Sequence, residues 1–430
     1  MAKRLTYYIL AGLVLGIIVG WIVNASIGDA TPAQHATLER VAGYFSIITT
    51  IFLRLIKMII APLVFSTLVA GIVHMGDTAA LGRVGARALL WFVSASLVSL
   101  TLGLILVNLL RPGIGLDFPL PPVTAASGVD QAGFDIKDFV THIFPASMIE
   151  AMATNEILQI VIFSLFVGVA ITAVGEKAKP LVSAIEALVA VMLQITSYVM
   201  RFAPFAVFAA VAGTIAERGP AILGDLAYFM GSFYLGLIIL WAVLLGACFL
   251  IVGGRTRLLI RYIREPLLIA FSTASSEAAY PRTLEALDRF GVPPKIASFV
   301  LPLGYSFNLD GSMMYMTFAT IFIAQAYGID LNLTQEITML LVLMVTSKGV
   351  AGVPRASLVV IAATLSLFKI PEAGLLLILA VDHFLDMGRT ATNVIGNAVA
   401  STVIARWEGN LDPREPAEIE PPHAPSHRHP

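Results

Sequence analysis

Near its C-terminal end the chain reads AVDHFLDMGRTATNVIGNAVA, which sets Asp382, Asp386, Arg389, Thr390, Asn393 and Asn397 in surroundings apolar enough to lie within a membrane. Spacings of four, three, four and four place these groups on one stripe of a helix. An acid or an arginine facing lipid at a bilayer centre costs about 2.5 to 3.5 kcal/mol each on insertion scales. The stripe must therefore face a protein interior or a wet cavity. Two acids and a guanidinium together suit the binding of a small charged solute. The competing reading is a polar seam between two helices, a task usually given to Ser, Thr or a single Asn.

A second interruption lies upstream, in YSFNLDGS at 305–312. Asn308, Asp310 and Gly311 are the residues an unwound turn needs. Freed carbonyls beside a carboxylate make a site for a cation. Asp310 can equally cap the half-helix that follows, and the two roles are compatible.

The elements that must carry these groups are those of a polytopic membrane protein. The 430 residues are 58% hydrophobic and only 13% charged, with a mean hydropathy of +0.87, against about 25% charged in soluble domains. An ordinary soluble enzyme is excluded. A net charge of -1 and the absence of any basic stripe with interleaved aromatics remove nucleic acid as a partner. The single Cys248 allows no disulfide framework and reads as a small hydrophobe.

Apolar segments near 6–24, 43–74, 86–110, 157–175, 180–215, 225–253, 296–326 and 372–406 predict eight spanning helices. The first follows Met-Ala-Lys-Arg with no small-residue cleavage site and reads as a retained helix. Lys3, Arg4, Arg83, Arg87, Arg255, Arg257, Arg261 and Arg264 fall on one predicted side, so both termini are expected in the cytoplasm. The tail EPAEIEPPHAPSHRHP reads as disordered; His423, His427 and His429 there either bind stray metal or are simply solvated.

Residues 266–286 and 335–366 break this pattern, each carrying two apolar arms around a tip of small residues. Each predicts a re-entrant hairpin, because irregular backbone at membrane depth survives only beside protein or a water-filled cavity. Each is followed by a span with intramembrane polar groups. A hairpin and helix occurring twice is the pattern of an inverted-repeat secondary transporter.

Four motifs in this order, STASSEAAYP, FNLDGS, TSKGVAGVP and DMGRTATNVIGN, are similar to those of the dicarboxylate/amino acid:cation symporter family, and the likeness covers roughly residues 6–408. It resembles most the bacterial proton/sodium glutamate symporters. The resemblance implies an all-α elevator fold of eight transmembrane helices and two re-entrant hairpins, assembled as a homotrimer in the bacterial cytoplasmic membrane. Residues 1–75 and 111–217 would form a static scaffold. Residues 76–110 and 218–408 would form the moving transport domain, with 409–430 a disordered tail.

By position in these motifs, Arg389 matches the arginine that pairs with a substrate side-chain carboxylate. Asp386 matches the acid that takes the ammonium, Thr390 lies beside it, and Asn393 donates to the α-carboxylate. Ser275, Ser276, Ser312 and Val353 match further substrate contacts, and Asp382 an acid that orients the arginine. An Asp382–Asp386–Arg389 ion pair that is only structural is the alternative. Gly304, Ser306, Asn308, Asp310, Asn393, Asn397, Ser96 and Glu277 fall at cation-coupling positions, with sodium ligands at Asn308, Asp310 and Asn393. Lys348, Gly349, Gly352, Pro354 and Arg355 make up the second tip, the gate.

Carriers of four-carbon dicarboxylates in this family lack the acid at Asp386, since those substrates have no ammonium, and carriers of neutral amino acids replace the arginine. An acidic amino acid is the expected substrate. Glutamate and aspartate differ by one methylene and are not separated. Sodium-coupled members have methionine at Leu309, an acid at Asn397 and threonine at Ala95; here oxygen ligands are lost at the last two, and Lys348 adds a charge. The expected coupling ion is a proton, with sodium the alternative and no cofactor. Met316 replaces the glutamate that animal members use in potassium counter-transport. Glu277, Asp310 and Asp382 compete as proton carrier. Arg355 either pairs with Glu277 or snorkels to the vestibule.

Two other classes fit less well. An intramembrane aspartyl protease would need Asp310 and Asp386 as a dyad, which explains neither Arg389 nor the hairpins. A channel needs weak multi-site binding rather than a clamp for a zwitterion.

Overall fold

The computed structural model describes residues 2–28, 31–75, 78–116, 120–121, 141, 143–218, 226–347, 356–379 and 381–412. Among them the chain is helical and no strand occurs. The helices are α1 (Ala2–Ile27), α2 (Pro32–Met75), α3 (Thr78–Leu110), α4 (Met148–Thr154), α5 (Ile157–Val174), α6 (Lys179–Val199), α7 (Ala203–Arg218) and α8 (Ala227–Val252). They continue as α9 (Thr256–Thr273), α10 (Ser276–Phe290), α11 (Pro294–Phe307), α12 (Asp310–Ala326), α13 (Leu333–Thr346), α14 (Ala356–Leu367), α15 (Leu375–Leu379) and α16 (Asp382–Trp407).

Four helical stretches among the described residues are long and apolar enough to cross a membrane: Tyr7–Ile27, Ala80–Leu110, Ile157–Glu217 and Ala227–Thr273. This is a multi-pass membrane protein. The other expected spans fall in α2, in α11 with α12, and in α16. Their sequences hold Arg54 and Lys57, the break at 308–309, and the Asp382, Asp386 and Arg389 stripe. The groups with chemistry are what lower the hydropathy there.

Two packing groups stand out. Helices α1, α2, α5, α6 and α7 lie against one another, while α3 leaves α2 and packs on α12, α8 and α16. The second group centres on α16 and α12, which bury nearly every residue they have. Large apolar side chains fill it, with Phe229 stacked on Phe322 at 4.0 Å between ring centroids. A helix buried on all sides has no solvated face for its polar residues, so each must find a partner within the bundle. The outer face of α1 is instead exposed and apolar, with Tyr7, Val14, Trp21 and Ile22 outward.

The first expected hairpin is α9 and α10, packed along each other. Its arms, 18 and 15 residues, exceed the apolar run that marked them, because α9 begins with a turn rich in arginine. The chain reverses at Ala274, which takes the left-handed conformation (φ 48°), and Ser275, whose hydroxyl accepts from the Ala278 amide at 3.2 Å. Arg282 ties the arms together through Nε, 3.4 Å from Glu265 on α9, while its Nη1 donates to Glu285 on its own helix at 2.8 Å. The arms of the second hairpin are α13 and α14. Its tip, including Lys348, Gly349, Gly352, Val353, Pro354 and Arg355, lies outside the described residues, as do most of 117–142 and the tail from 413.

Candidate functional site

The C-terminal stripe and the NLDG break meet where α16 runs along α12. Arg389, about two turns into α16, is buried at 4% exposure. Its Nε donates to Asp386 Oδ1 at 2.8 Å, and its guanidinium carbon sits 4.5 Å above the Tyr315 ring. The Nη1 atom is 3.8 Å from Asp382 Oδ1, an ion pair too long for a hydrogen bond, and is buried with no hydrogen-bond partner. The same Asp382 oxygen accepts from the Tyr315 hydroxyl at 2.8 Å. Thr390 Oγ1 donates to Asp386 Oδ1 at 2.9 Å.

The two acids differ in environment. Asp382 is enclosed, with a side chain 9% exposed, whereas Asp386 is 30% exposed. Asp382 and Tyr315 thus hold the arginine from below, and Asp386 presents a carboxylate toward open space beside it. A guanidinium suits a carboxylate bidentately, and Arg389 keeps a donor for one.

Four residues down the stripe, Asn393 organises the break. Its Oδ1 accepts from the Gly311 amide at 2.9 Å and the Ser312 amide at 3.4 Å, and its Nδ2 donates to Ser312 Oγ at 3.3 Å. These are first-turn amides of α12, which has no side-chain cap of its own, so Asn393 caps it from a neighbouring helix. The approach is close. Gly311 lies against the Arg389 carbonyl and Gly396 against the Asp310 carboxylate, so that a Cβ at either position would collide.

A polar cluster continues beneath. Asn308 Nδ2 donates to Asn397 Oδ1 at 3.2 Å, the latter pressed against Gly304. Ser99 donates to Asp310 Oδ1 at 3.4 Å. Ser96, one turn earlier on α3, is fully buried, as are Asn308, Asp310 and Asn397; Ser306 is nearly so. Asn308 Oδ1 and Asn397 Nδ2 have no hydrogen-bond partner. Among the described residues no group of three or more His, Cys, Asp or Glu is placed to hold a metal ion.

At the first tip lie Ser275, whose hydroxyl caps its own helix, then Ser276 and half-buried Glu277 on the first turn of α10. Two residues of the site escaped sequence reading. Tyr315 sits in an apolar run where an aromatic looks like core, and Ser99 lies four residues after Ala95, one turn beyond the position where an oxygen was sought. No signal marks the first. Helical spacing from Ser96 was a usable signal for the second.

Comparison with known proteins fits this arrangement. Residues 5–407 match the sodium:dicarboxylate symporter family model. The chain belongs to that family. It is 40% identical over 421 residues to a proton/sodium-glutamate symport protein of Bacillus caldotenax, covering 95% of each chain. It is 41% identical over 416 residues to the proton/glutamate-aspartate symporter of Escherichia coli (strain K12), covering 95% of this chain and 94% of that one. A C4-dicarboxylate transport protein of Laribacter hongkongensis is 39% identical over 417 residues, covering 95% and 91%. Overall identity therefore ranks glutamate and dicarboxylate carriers together, and the choice falls to individual residues.

Proposed function

We propose that the protein is a secondary active symporter that imports an acidic amino acid, L-glutamate or L-aspartate, without a cofactor and driven by protons. The observation that carries this reading is the Asp386–Arg389 pair: a buried guanidinium with an unspent donor, beside a carboxylate open to the site. Arg389 takes the side-chain carboxylate of the substrate. Asp386 takes the ammonium, with Thr390 beside it, and Asn393 with Ser312, Ser275, Ser276 and Val353 completes the contacts. A four-carbon dicarboxylate has no ammonium and would leave Asp386 facing a like charge.

In this reading α1, α2 and α4 to α7 form the scaffold of a homotrimer in the bacterial cytoplasmic membrane. Helices α3 and α8 to α16 move as an elevator, α9–α10 and α13–α14 being re-entrant and the second tip the gate. The packing of α3 on α12 rather than α2 supports this division. Arg83 and Arg87 pair with Glu408 at 3.1 and 2.7 Å, and Arg255 donates to the Asp412 carbonyl. Three arginines at one end, beside the C-terminal end of α16, support a cytoplasmic C-terminus.

Sodium coupling is the second reading, favoured by Asn308 Oδ1, a buried acceptor without a hydrogen-bond partner close to Asp310. Hard cations need several such oxygens; alanine at 95 and an amide at 397 offer fewer than a hydroxyl and a carboxylate would. The test is uptake of labelled glutamate into proteoliposomes under separately imposed proton and sodium gradients. Accumulation is expected with an inward proton gradient and choline in place of sodium. A strict sodium requirement would replace the coupling ion, and accumulation of succinate but not glutamate would replace the substrate.

A further inference from the structure

Behind the Asp386–Arg389 site, Phe384, Gly388 and Thr392 lie four apart on one line of α16. At about 100° per residue, the stripe of Asp382, Asp386, Arg389 and Asn393 lies roughly 130° round the helix from that line. Helix α8 meets the line with a stripe of its own, Tyr234, Leu237 and Trp241. The Tyr234 hydroxyl donates to the Phe384 carbonyl at 2.5 Å, and Trp241 Nε1 donates to Thr392 Oγ1 at 2.7 Å. Thr392 in turn donates to the Gly388 carbonyl at 2.9 Å. Two aromatic donors thus hold α16 at points about 12 Å apart along its axis. Between them the chain has no side chain, since a Cβ on Gly388 would lie 2.8 Å from both Leu237 Cδ1 and Tyr234 Cε1. The Tyr234 ring rests on bare backbone. One residue earlier on α8, Phe233 meets the Tyr315 ring edge-on at 5.7 Å between centroids. Helix α8 therefore touches both the back of α16 and the tyrosine on which Arg389 lies.

We propose that Tyr234, Trp241 and Gly388 are positioning residues that set the depth of the site in front of Arg389, and with it the length of the acidic substrate the protein prefers. The inference rests on the substrate reading of Asp386 and Arg389 given above. Close packing of two membrane helices needs only small residues, and a carbonyl inside a helix already has an amide partner four residues on. The Tyr234 bond is needed for neither, so what it adds is a fixed place for the turn that carries Asp386 and Arg389. Groups on α16 move together, whereas Ser312 belongs to α12 and Ser276 to α10. A displacement of α16 away from α8 therefore shortens the space between Arg389 and the contacts on the other helices.

The test is isothermal titration of glutamate and of aspartate into the full chain in nanodiscs, with the ratio of the two affinities as the readout. A purely structural role would lower the melting temperature and leave that ratio alone. Gly388→Ala, which pushes α16 off α8, should shift the ratio about ten-fold toward the shorter aspartate, the low end of what one methylene is worth in a fitted pocket. Tyr234→Phe keeps the ring and removes only the hydroxyl, and should shift the ratio the same way by about three-fold with the melting temperature unchanged. Should Gly388→Ala fail to fold, Tyr234→Phe decides alone. A folded variant with the original ratio, or an equal loss of both substrates, overturns the proposal. If the unaltered protein binds neither amino acid, it is the substrate reading that falls, and the same variants are read with succinate against malonate, which also differ by one methylene. Binding of neither pair removes the site and the proposal with it.

Discussion

Two helix pairs in this molecule pack closely by different means. Along α1 against α7, Gly12, Gly16 and Gly20 lie four apart, and a Cβ on any of them would strike the α7 backbone at Pro204, Phe208 or Ala212. No charged group takes part in those contacts. Along α12 against α16, the contact carries Asp310, Asn393, Arg389, Asp382 and Tyr315. Small residues suffice to bring membrane helices together, so the second pair did not need its charges in order to pack. Buried charge is costly and is kept where it acts. The contrast argues that the α12–α16 seam is a binding site and the α1–α7 seam a fastener.

The sharpest way to break this contrast is Asp386→Ser. A bound amino acid would lose the counter-charge of its ammonium in a largely desolvated site, which costs about 3 to 5 kcal/mol when one partner of a buried pair is removed. Glutamate binding should fall by at least about a hundred-fold, measured by isothermal titration, while succinate binding survives. A folded variant with unchanged glutamate affinity would falsify the role of this acid. Next in size, Arg389→Cys should lose acidic substrates and admit serine or alanine into the space the guanidinium leaves. A variant that still prefers glutamate over serine in competition uptake means that Arg389 is not the clamp.

The fastener should answer differently. Gly16→Leu drives a side chain into the Phe208 carbonyl and Val211, and overpacking of this kind costs about 1 to 3 kcal/mol. The expected result is a lower melting temperature in detergent, with the ratio of glutamate to succinate affinity unchanged. A shifted ratio would mean that the two seams are not separable.

What the sequence made legible follows the same division. Spacing alone placed Asp382, Asp386, Arg389, Asn393 and Asn397 on one face, because a helical period turns a list of residues into a stripe. The break at 308–309 was legible because Asn, Asp and Gly in an apolar run have few other uses. The support beneath the site was not legible. Tyr315 reaches Asp382 and Arg389 across 67 and 74 residues of chain, and an aromatic in an apolar helix carries no mark of such a contact. That α3 would join α12 rather than its sequence neighbour α2 rested on the family resemblance and not on any residue pattern. The length of the α9–α10 arms was hidden as well, since Arg257, Arg261 and Arg264 end the apolar run before the helix ends.

The smallest expected effect on substrate binding and on folding concerns Glu277, on the first turn of α10 at the described hairpin tip. It is the one acid at that tip, half-buried rather than enclosed like Asp310, and so able to meet water as the proton is taken up and released. If it carries the coupled proton, Glu277→Gln fixes the protonated shape. Proton-driven accumulation of glutamate in proteoliposomes should then fall to the level reached without a gradient. Exchange of internal for external glutamate should continue at near the original rate, because exchange needs no proton release. The substitution keeps the side chain's size, and an unchanged melting temperature in detergent is the check that the variant is folded. Normal proton-driven accumulation by this variant moves the proton to Asp310 or Asp382. In that case the charge that drives transport lies in the α12–α16 seam itself, and the hairpin tip serves as a cap and a substrate contact alone.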